Sequence, residues 1–316
     1  MIRKIIEIID SWQRFLFASH ENPDGDAIAS TLALTNFLRE RGKEVMAYNG
    51  DGVPATFAFL PGSASVVDEL AANERFDVGF VLDAGELRRA GTRLTEICGC
   101  LVNIDHHPHS EDFGDLYYVD ETASATGTMV YRIIQASGHP LSSEVALCVY
   151  TAILADTGSF RYSNADPEAF RVAADMVARG VGPWDVASEL YESQDEKRLR
   201  LLALALATLT VSPCGRYASL SVTRQMLEET GTGPEQTDGF VNYPRSVRGV
   251  EVAIFLRQLD SGAYKAGFRS KGRIDVGALA REFGGGGHHN AAGAVIEGSL
   301  EEVRATVFSR LDVLLA

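Results

Sequence analysis

The 316-residue sequence is poor in cysteine, poor in basic charge and without any long apolar run. Its four cysteines, Cys98, Cys100, Cys148 and Cys214, form no disulfide framework and no CxxC pair, so neither a stapled secreted scaffold nor a cysteine-ligated zinc is indicated. On a strand, Cys98 and Cys100 would share one side and serve as small apolar side chains. No apolar stretch approaches the roughly 20 residues of a membrane span, so no membrane partner is expected. The first ten residues mix apolar and charged side chains and lack a signal-peptide core, which makes a cytoplasmic location the expectation. Lys and Arg number 29 against 43 Asp and Glu, a formal net charge of −14. Such a chain is not expected to grip a long nucleic-acid tract by neutralising phosphates. Short oligonucleotides or nucleotides stay open, because bound metals and a few local arginines can reverse the sign inside a cleft.

What is present fits an α/β protein of two domains. Apolar residues make up 46% and charged residues 23%, ordinary globular values, and the length suffices for two cores. Strands are expected over Arg14–Ser19, Lys43–Tyr48, Asp77–Asp83 and Cys100–Asp105, and a helix over about 25–41, closed by Gly42. These strands are near-continuous apolar runs, as in a mainly parallel sheet flanked by helices. Three of them finish at ligand-type residues, before His20, at Asp83 and at Asp105. In open α/β sheets, sites form just outside such carboxyl ends. From Ala123 to about Glu192 the pattern is mostly helical, including Ser142–Ala155 and a helix from about Pro167. The expected division is a catalytic domain over 1–192, a helical linker over 193–214, and a smaller α/β domain over 215–316. Strands are expected there over Tyr217–Val222, Val250–Phe255 and Ala263–Phe268.

The densest chemistry lies in His20-Glu21-Asn22-Pro23-Asp24-Gly25-Asp26. Pro23 and Gly25 force a turn that brings one imidazole and two carboxylates into a small volume. Either acid could instead cap the following helix. Asp83 and Asp156 each admit a capping or turn role as well. Asp105-His106-His107 is less ambiguous, since three ionisable groups after an apolar strand are costly unless paired or metal-bound. Adjacent histidines point different ways, so one suits a metal and the other a substrate. Oxygen donors outnumber imidazoles in this set, which suits a pair of Mn²⁺ ions, with Mg²⁺ as the alternative. Two metals on shared carboxylates are a device for hydrolysing phosphate esters. His109 and His139 read as surface residues. In the C-terminal part, Gly284-Gly285-Gly286-Gly287-His288 could bring backbone N–H groups to an anion, and Arg269 could add a bidentate phosphate contact.

In order and spacing, these motifs resemble the DHH/DHHA1 phosphoesterase family over nearly the whole chain. Within it, the compact two-domain length is most similar to the bacterial nano-RNase and pAp phosphatase branch. The resemblance implies a DHH domain, a DHHA1 domain and an active-site cleft between them. It implies that His20, Asp24 and Asp83 bind one metal, and that Asp26, Asp83, His106 and Asp156 bind the second, with Asp83 bridging. His107 is implied to contact the scissile phosphate or help protonate the leaving oxygen, and Asp105 is expected to be catalytic with it. Arg269, Ser270, Gly285, Gly286, Gly287 and His288 are implied to hold another phosphate or a terminal nucleotide. Gln258 stands where relatives often carry an acid. The expected activity is hydrolysis of RNA a few nucleotides long and of 3′-phosphoadenosine 5′-phosphate (pAp). Alternatives are a phosphodiesterase for c-di-AMP or linear pApA or pGpG, and a nucleotide-binding regulator without activity. The oligomeric state stays open between monomer and homodimer.

Overall fold

The computed structural model describes residues 1–91, 93–287 and 289–315. The chain divides into two compact units, Met1–Ser193 and Gln194–Ala316. The first is built on β1 (Arg14–Ser19), β2 (Glu44–Tyr48), β3 (Val66–Val67), β4 (Phe76–Leu82), β5 (Cys98–Asp105) and β6 (Leu116–Val119). All pairings are parallel and the order is β3-β2-β1-β4-β5-β6. The expected apolar strands arise because both sheet faces are covered. On one face Phe17 stacks on Phe80 with ring centroids 5.4 Å apart; on the other, Leu16 and Ala18 join Val81 and Leu101. Chain order changes direction between β1 and β4, the place where open sheets leave a crevice. Register sets Ser19 beside Leu82 and Leu82 beside Ile104, so the three ends that carry candidate ligands are level neighbours.

Three helices complete that end of the sheet. Helix Gly25–Glu40 is capped by Asp24, whose carboxylate accepts from the N–H groups of Asp26 and Ala27 at 3.1 Å each. It is buried on nearly every side, packed on helices Thr126–Ser137 and Ser143–Asp156. The last of these delivers Asp156 at its C-terminal turn. Residues Ile2–Ser11 also form a helix, and the apolar–charged mixture of the N-terminus resolves into Ile5 and Ile9 facing inward. Burial pushes the Cys98 thiol up to about 12, which keeps it unreactive. Among the described residues, no helix is long and apolar enough to cross a membrane.

The second unit holds β7 (Thr210–Val211), β8 (Tyr217–Val222), β9 (Val252–Gln258), β10 (Tyr264–Ser270), β11 (Gly286–Gly287) and β12 (Ala291–Ile296). Their order is β11-β12-β10-β9-β8-β7, with β8 and β9 parallel and the other pairs antiparallel. One face buries Ile254, Leu256, Ala266 and Phe268 under helices Val276–Glu282 and Leu300–Leu314. The other packs Leu220, Val222 and Phe255 against Leu201 and Leu202 of helix Glu196–Leu206. The helix expected to be a linker therefore contributes to the core of the second unit.

Candidate metal centre

The six expected ligands arrive from four chain segments. His20 follows β1, Asp83 follows β4, and His106 follows β5; Asp24 and Asp26 start helix Gly25–Glu40, and Asp156 ends helix Ser143–Asp156. Asp83 sits in the left-handed backbone region at φ 58°, a conformation costing of order 1–3 kcal/mol away from glycine, though least for Asn and Asp. Its N–H donates to the Ile104 carbonyl at 3.0 Å, and the turn aims its buried carboxylate across the strand ends.

Imidazole hydrogen bonds decide how the cluster can be read. His106 Nδ1 lies 3.1 Å from the Ala123 carbonyl, an acceptor only, so Nδ1 carries the proton. In the neutral ring Nε2 then presents a lone pair. It faces Asp83 at 3.6 Å and Asp26 and Asp156 at 3.7 Å. His20 repeats the arrangement: Nδ1 donates to the Glu21 carbonyl at 2.7 Å, and Nε2 stands 3.9 Å from both Asp24 and Asp83. These gaps exceed hydrogen-bonding distance. They fit donors arranged about a common ion roughly 2.0–2.2 Å from each ligand. The ligand atoms of His20, Asp24 and Asp83 lie within 4.8 Å of one another, as do those of Asp26, His106 and Asp156. Asp83 faces both imidazoles and is the shared member.

Capping and site membership are not rivals at Asp24, which caps its helix and still faces His20. Asp26 does not cap. Its carboxylate accepts from Ser30 Oγ at 2.6 Å and from the N–H groups of Thr126 and Gly127 at 2.6 and 3.0 Å. The N-terminus of helix Thr126–Ser137 thus steadies one acid, while Thr126 Oγ1 donates to Asp83 at 2.9 Å. Asn164 Nδ2 holds Asp156 at 2.9 Å, and Asn49 Nδ2 holds the His20 carbonyl at 2.9 Å. Sequence reading did not find Ser30, Asn49, Thr126 or Asn164. The polar residue Asn49, just past the end of β2, was the one available signal.

The next histidine is wired differently. His107 Nδ1 donates to Asp105 at 2.8 Å, and Asp105 also accepts from the His107 N–H, the Gly85 N–H and Ser110 Oγ. Burial alone would raise Asp105, but these donors outweigh it and hold the carboxyl down at about 2. Burial opposes protonation of His107, and the Asp105 hydrogen bond overcomes it, so His107 is raised. Asp105, saturated by protein donors, positions His107 and is not itself a ligand candidate. Of the two residues expected to be catalytic, Asp105 is thus taken up by protein donors, one of them His107 itself.

The remaining acids are electrostatically unsatisfied. Burial, then neighbouring carboxylates, push Asp83 well up; burial raises Asp26, and burial with the Asp26 charge raises Asp156 to about 7. The ion-pair partners of Asp24, Asp26, Asp83 and Asp156 are His20, His106 and His107, and His107 is already engaged by Asp105. Asp26, Asp83 and Asp156, with the exposed Asp24 beside them, face the other two imidazoles, which leaves excess negative charge in a largely buried place, where each unpaired ion costs several kcal/mol. The set therefore fits divalent cations and is not a self-contained structural ion pair. His109 and His139, read as surface residues, are exposed.

Comparison with known proteins gives the cluster its family. Residues 14–153 match the DHH family, N-terminal domain, and residues 216–312 match the DHHA1 domain. The chain is 35% identical to the bifunctional oligoribonuclease and PAP phosphatase NrnA of Thermus thermophilus, over 94% of this chain and 89% of that protein. The chain belongs to the DHH phosphoesterase family. It is a hydrolase of a metal-dependent family, and its acid–histidine cluster could hold the metal. The Bacillus subtilis protein of the same name is 27% identical over 94% of this chain and 93% of that one. The crystal structure of an exopolyphosphatase-related protein from Bacteroides fragilis aligns with a TM-score of 0.91 at 30% identity, covering 98% of this chain and 94% of that one.

In the DHHA1 domain of this DHH protein, Arg269 and Ser270 end β10, and Gly286–Gly287 form β11. Register places Gly287 opposite Ala292, Ala292 opposite Phe268, and Arg269 one step further, opposite Ala291. Arg269, Ser270 and the glycine strand therefore share one end of the sheet. Ser270 Oγ accepts from the N–H groups of Gly272 and Ile274 at 3.0 and 3.4 Å, which bends the chain after β10. Glycine is demanded sterically: a Cβ at Gly285 would meet the Gly293 carbonyl at 2.1 Å, and one at Gly287 the Ala292 Cα at 2.5 Å. His288 lies outside the described residues. Gln258 Oε1 accepts from the Arg224 N–H at 3.1 Å.

Proposed function

We propose that this DHH protein hydrolyses short oligoribonucleotides and pAp at the cluster of His20, Asp24, Asp26, Asp83, His106 and Asp156. The observation that carries this reading is His106, whose Nδ1 is committed to Ala123 while Nε2 faces three carboxylates at 3.6–3.7 Å. Bound there, two divalent cations, Mn²⁺ before Mg²⁺, would make a water more acidic and offset charge on the phosphate. We assign His20, Asp24 and Asp83 to one ion and Asp26, Asp83, His106 and Asp156 to the other. Ser30, Thr126, Gly127 and Asn164 hold those carboxylates in place. With Nδ1–H on Asp105, protonated His107 keeps a second proton at Nε2 for the leaving oxygen.

Support for the substrate class comes from two directions. The relatives named oligoribonuclease and PAP phosphatase align along nearly the whole chain. The net charge of −14 disfavours long phosphate tracts and leaves compact substrates. Arg269, Ser270, Gly285, Gly286, Gly287 and His288 are the anion-holding set proposed for the DHHA1 domain. Expected is Mn²⁺-dependent hydrolysis of pAp, pApA and short labelled RNA, with little action on long RNA or c-di-AMP, read by product length. Preferential turnover of c-di-AMP, or near-normal dinucleotide hydrolysis by Asp83→Ala or His106→Ala, would defeat the reading.

A further inference from the structure

Immediately after Asp156 the chain makes a turn that the acid cluster itself does not require. Gly158, Ser159 and Phe160 are consecutive residues in the left-handed region, at φ 56°, 61° and 59°. Two of them are not glycine, and Phe160 is bulky, so the surroundings must hold this conformation. They do so from three sides. Phe160 is half-buried, stacked on Phe170 with centroids 5.0 Å apart, and its N–H donates to Thr157 Oγ1 at 3.1 Å. The N–H groups of Arg161 and Tyr162 both return to the Thr157 carbonyl at 3.0 Å. Asn164 Nδ2 closes the loop on Asp156 itself, meeting its carbonyl at 3.2 Å and its carboxylate at 2.9 Å.

The product of this bracing is the seat of Tyr162. Its ring lies across Gly158, where a Cβ would come within 2.4 Å of ring carbons. Glycine is thus needed there for its φ and for the space the ring occupies. The loop leaves Asp156 and returns to it through Asn164, so the ring over Gly158 lies beside the turn that carries Asp156, yet the residue stays 40% exposed. A fixed, partly exposed aromatic face beside a phosphate-processing cluster has the form of a base-stacking platform.

We propose that Tyr162 stacks on the base of a nucleotide flanking the scissile phosphate and so positions that phosphate at the cluster. The proposal rests on the phosphoesterase reading above and adds a positioning residue to it. It calls for a nucleoside on the substrate, where a simple phosphate ester would leave the ring unused. Hydrolysis of pApA with Mn²⁺ is compared with two analogues, in which each nucleoside in turn is replaced by abasic ribose. Tyr162→Ala should lose about tenfold in kcat/KM on pApA, the scale of one base–aromatic stack, mostly through KM. On one of the abasic analogues the same variant should match the wild type. Tyr162→Phe, which keeps the ring and lacks the hydroxyl, should retain activity on pApA. Equal losses on pApA and both analogues, or a Phe variant as weak as the Ala variant, overturn the stacking role. Undiminished pApA turnover by Tyr162→Ala overturns it alone, whereas a wild type inactive on pApA overturns the phosphoesterase reading and this inference with it.

Discussion

In the N-terminal unit, six side chains from four segments converge; the four acids are braced by side chains or a helix N-terminus, and the two imidazoles by backbone carbonyls. At the glycine-rich edge of the second sheet, the geometry is carried by backbone alone. Gly285 and Gly287 are there because Gly293 and Ala292 leave no room for a Cβ. The first region accumulates charge that its own residues do not neutralise; in the second, charges of opposite sign stand near one another, Arg273 by Glu251 at 3.8 Å and Arg281 by Asp275 at 3.9 Å. Chemistry by side chain can be lost one atom at a time. Chemistry by backbone is lost only when the strand moves.

The largest effect is expected where the two imidazoles share a carboxylate. Asp83→Asn keeps a residue type that tolerates φ 58° and keeps an oxygen for Thr126, but removes the charge facing His20 and His106. Turnover of pApA with Mn²⁺ should fall roughly a thousandfold, since several kcal/mol of charge stabilisation is at stake. Thermal stability without metal should hold or rise, because a raised, buried acid is gone. A variant that loses stability in step with activity would mean that the acid serves the fold.

Within the same region, Asp105→Asn separates positioning from ligation. The hydrogen bond from His107 is weakened and the charge that keeps its imidazolium is removed. Activity should fall about 10–100-fold, the usual cost of a supporting partner, and Mn²⁺ stabilisation should persist. The sign follows from the raised His107: losing Asp105 lowers its pKa, so the alkaline limb of the rate profile moves to lower pH. An unshifted limb would remove His107 from proton transfer.

What could be read beforehand divides along the same line. Strand ends before His20 and at Asp83 and Asp105 were legible because buried parallel strands are apolar runs that stop abruptly at polar residues. The bracing of Asp26 by Thr126 and Gly127 was not, since it joins residues about a hundred positions apart through backbone N–H groups. The six ligand candidates could be named, and Asp105 and His107 set apart from them, but not the support that Asp105 gives His107, which depends on which imidazole nitrogen holds the proton. In the second unit, β11 and β12 escaped notice because Gly286–Gly287 and Ala291–Ile296 carry small side chains with weak period-two contrast. Helix Leu300–Leu314 was equally unread, although Ser299 and Glu302 form a capping box at its start.

At the backbone region, Gly287→Ala places a side chain at φ 135° against Ala292, a strain of order 1–3 kcal/mol before any clash. It should lower the melting temperature while leaving the Mn²⁺ response of the N-terminal cluster intact. Arg269→Ala should be milder, raising KM for pAp about tenfold and leaving kcat little changed, as loss of a charge-assisted phosphate contact does. A fall in kcat with KM unchanged would place Arg269 in the chemical step and erase the division of labour between the regions.

The smallest expected effect is a shift in melting temperature, and it tests the charge contrast directly. Asp156 is raised to about 7 from an ordinary 3.8, so between those values the folded metal-free protein holds a proton that the unfolded chain has released. Stability of the metal-free protein should therefore fall as pH rises through about 4–7 and level off above it. Binding of a cation needs the ionised carboxylate, so the stabilisation given by a fixed Mn²⁺ concentration should grow over the same interval. Melting curves at pH 6 and pH 8, with and without Mn²⁺, read both slopes. Asp156→Asn should flatten them, whereas Arg269→Ala, in the region without that charge excess, should leave them as they are. A metal increment equal at both pH values would show that the acids are already ionised and satisfied by the protein. The excess charge that sets the two regions apart would then be absent.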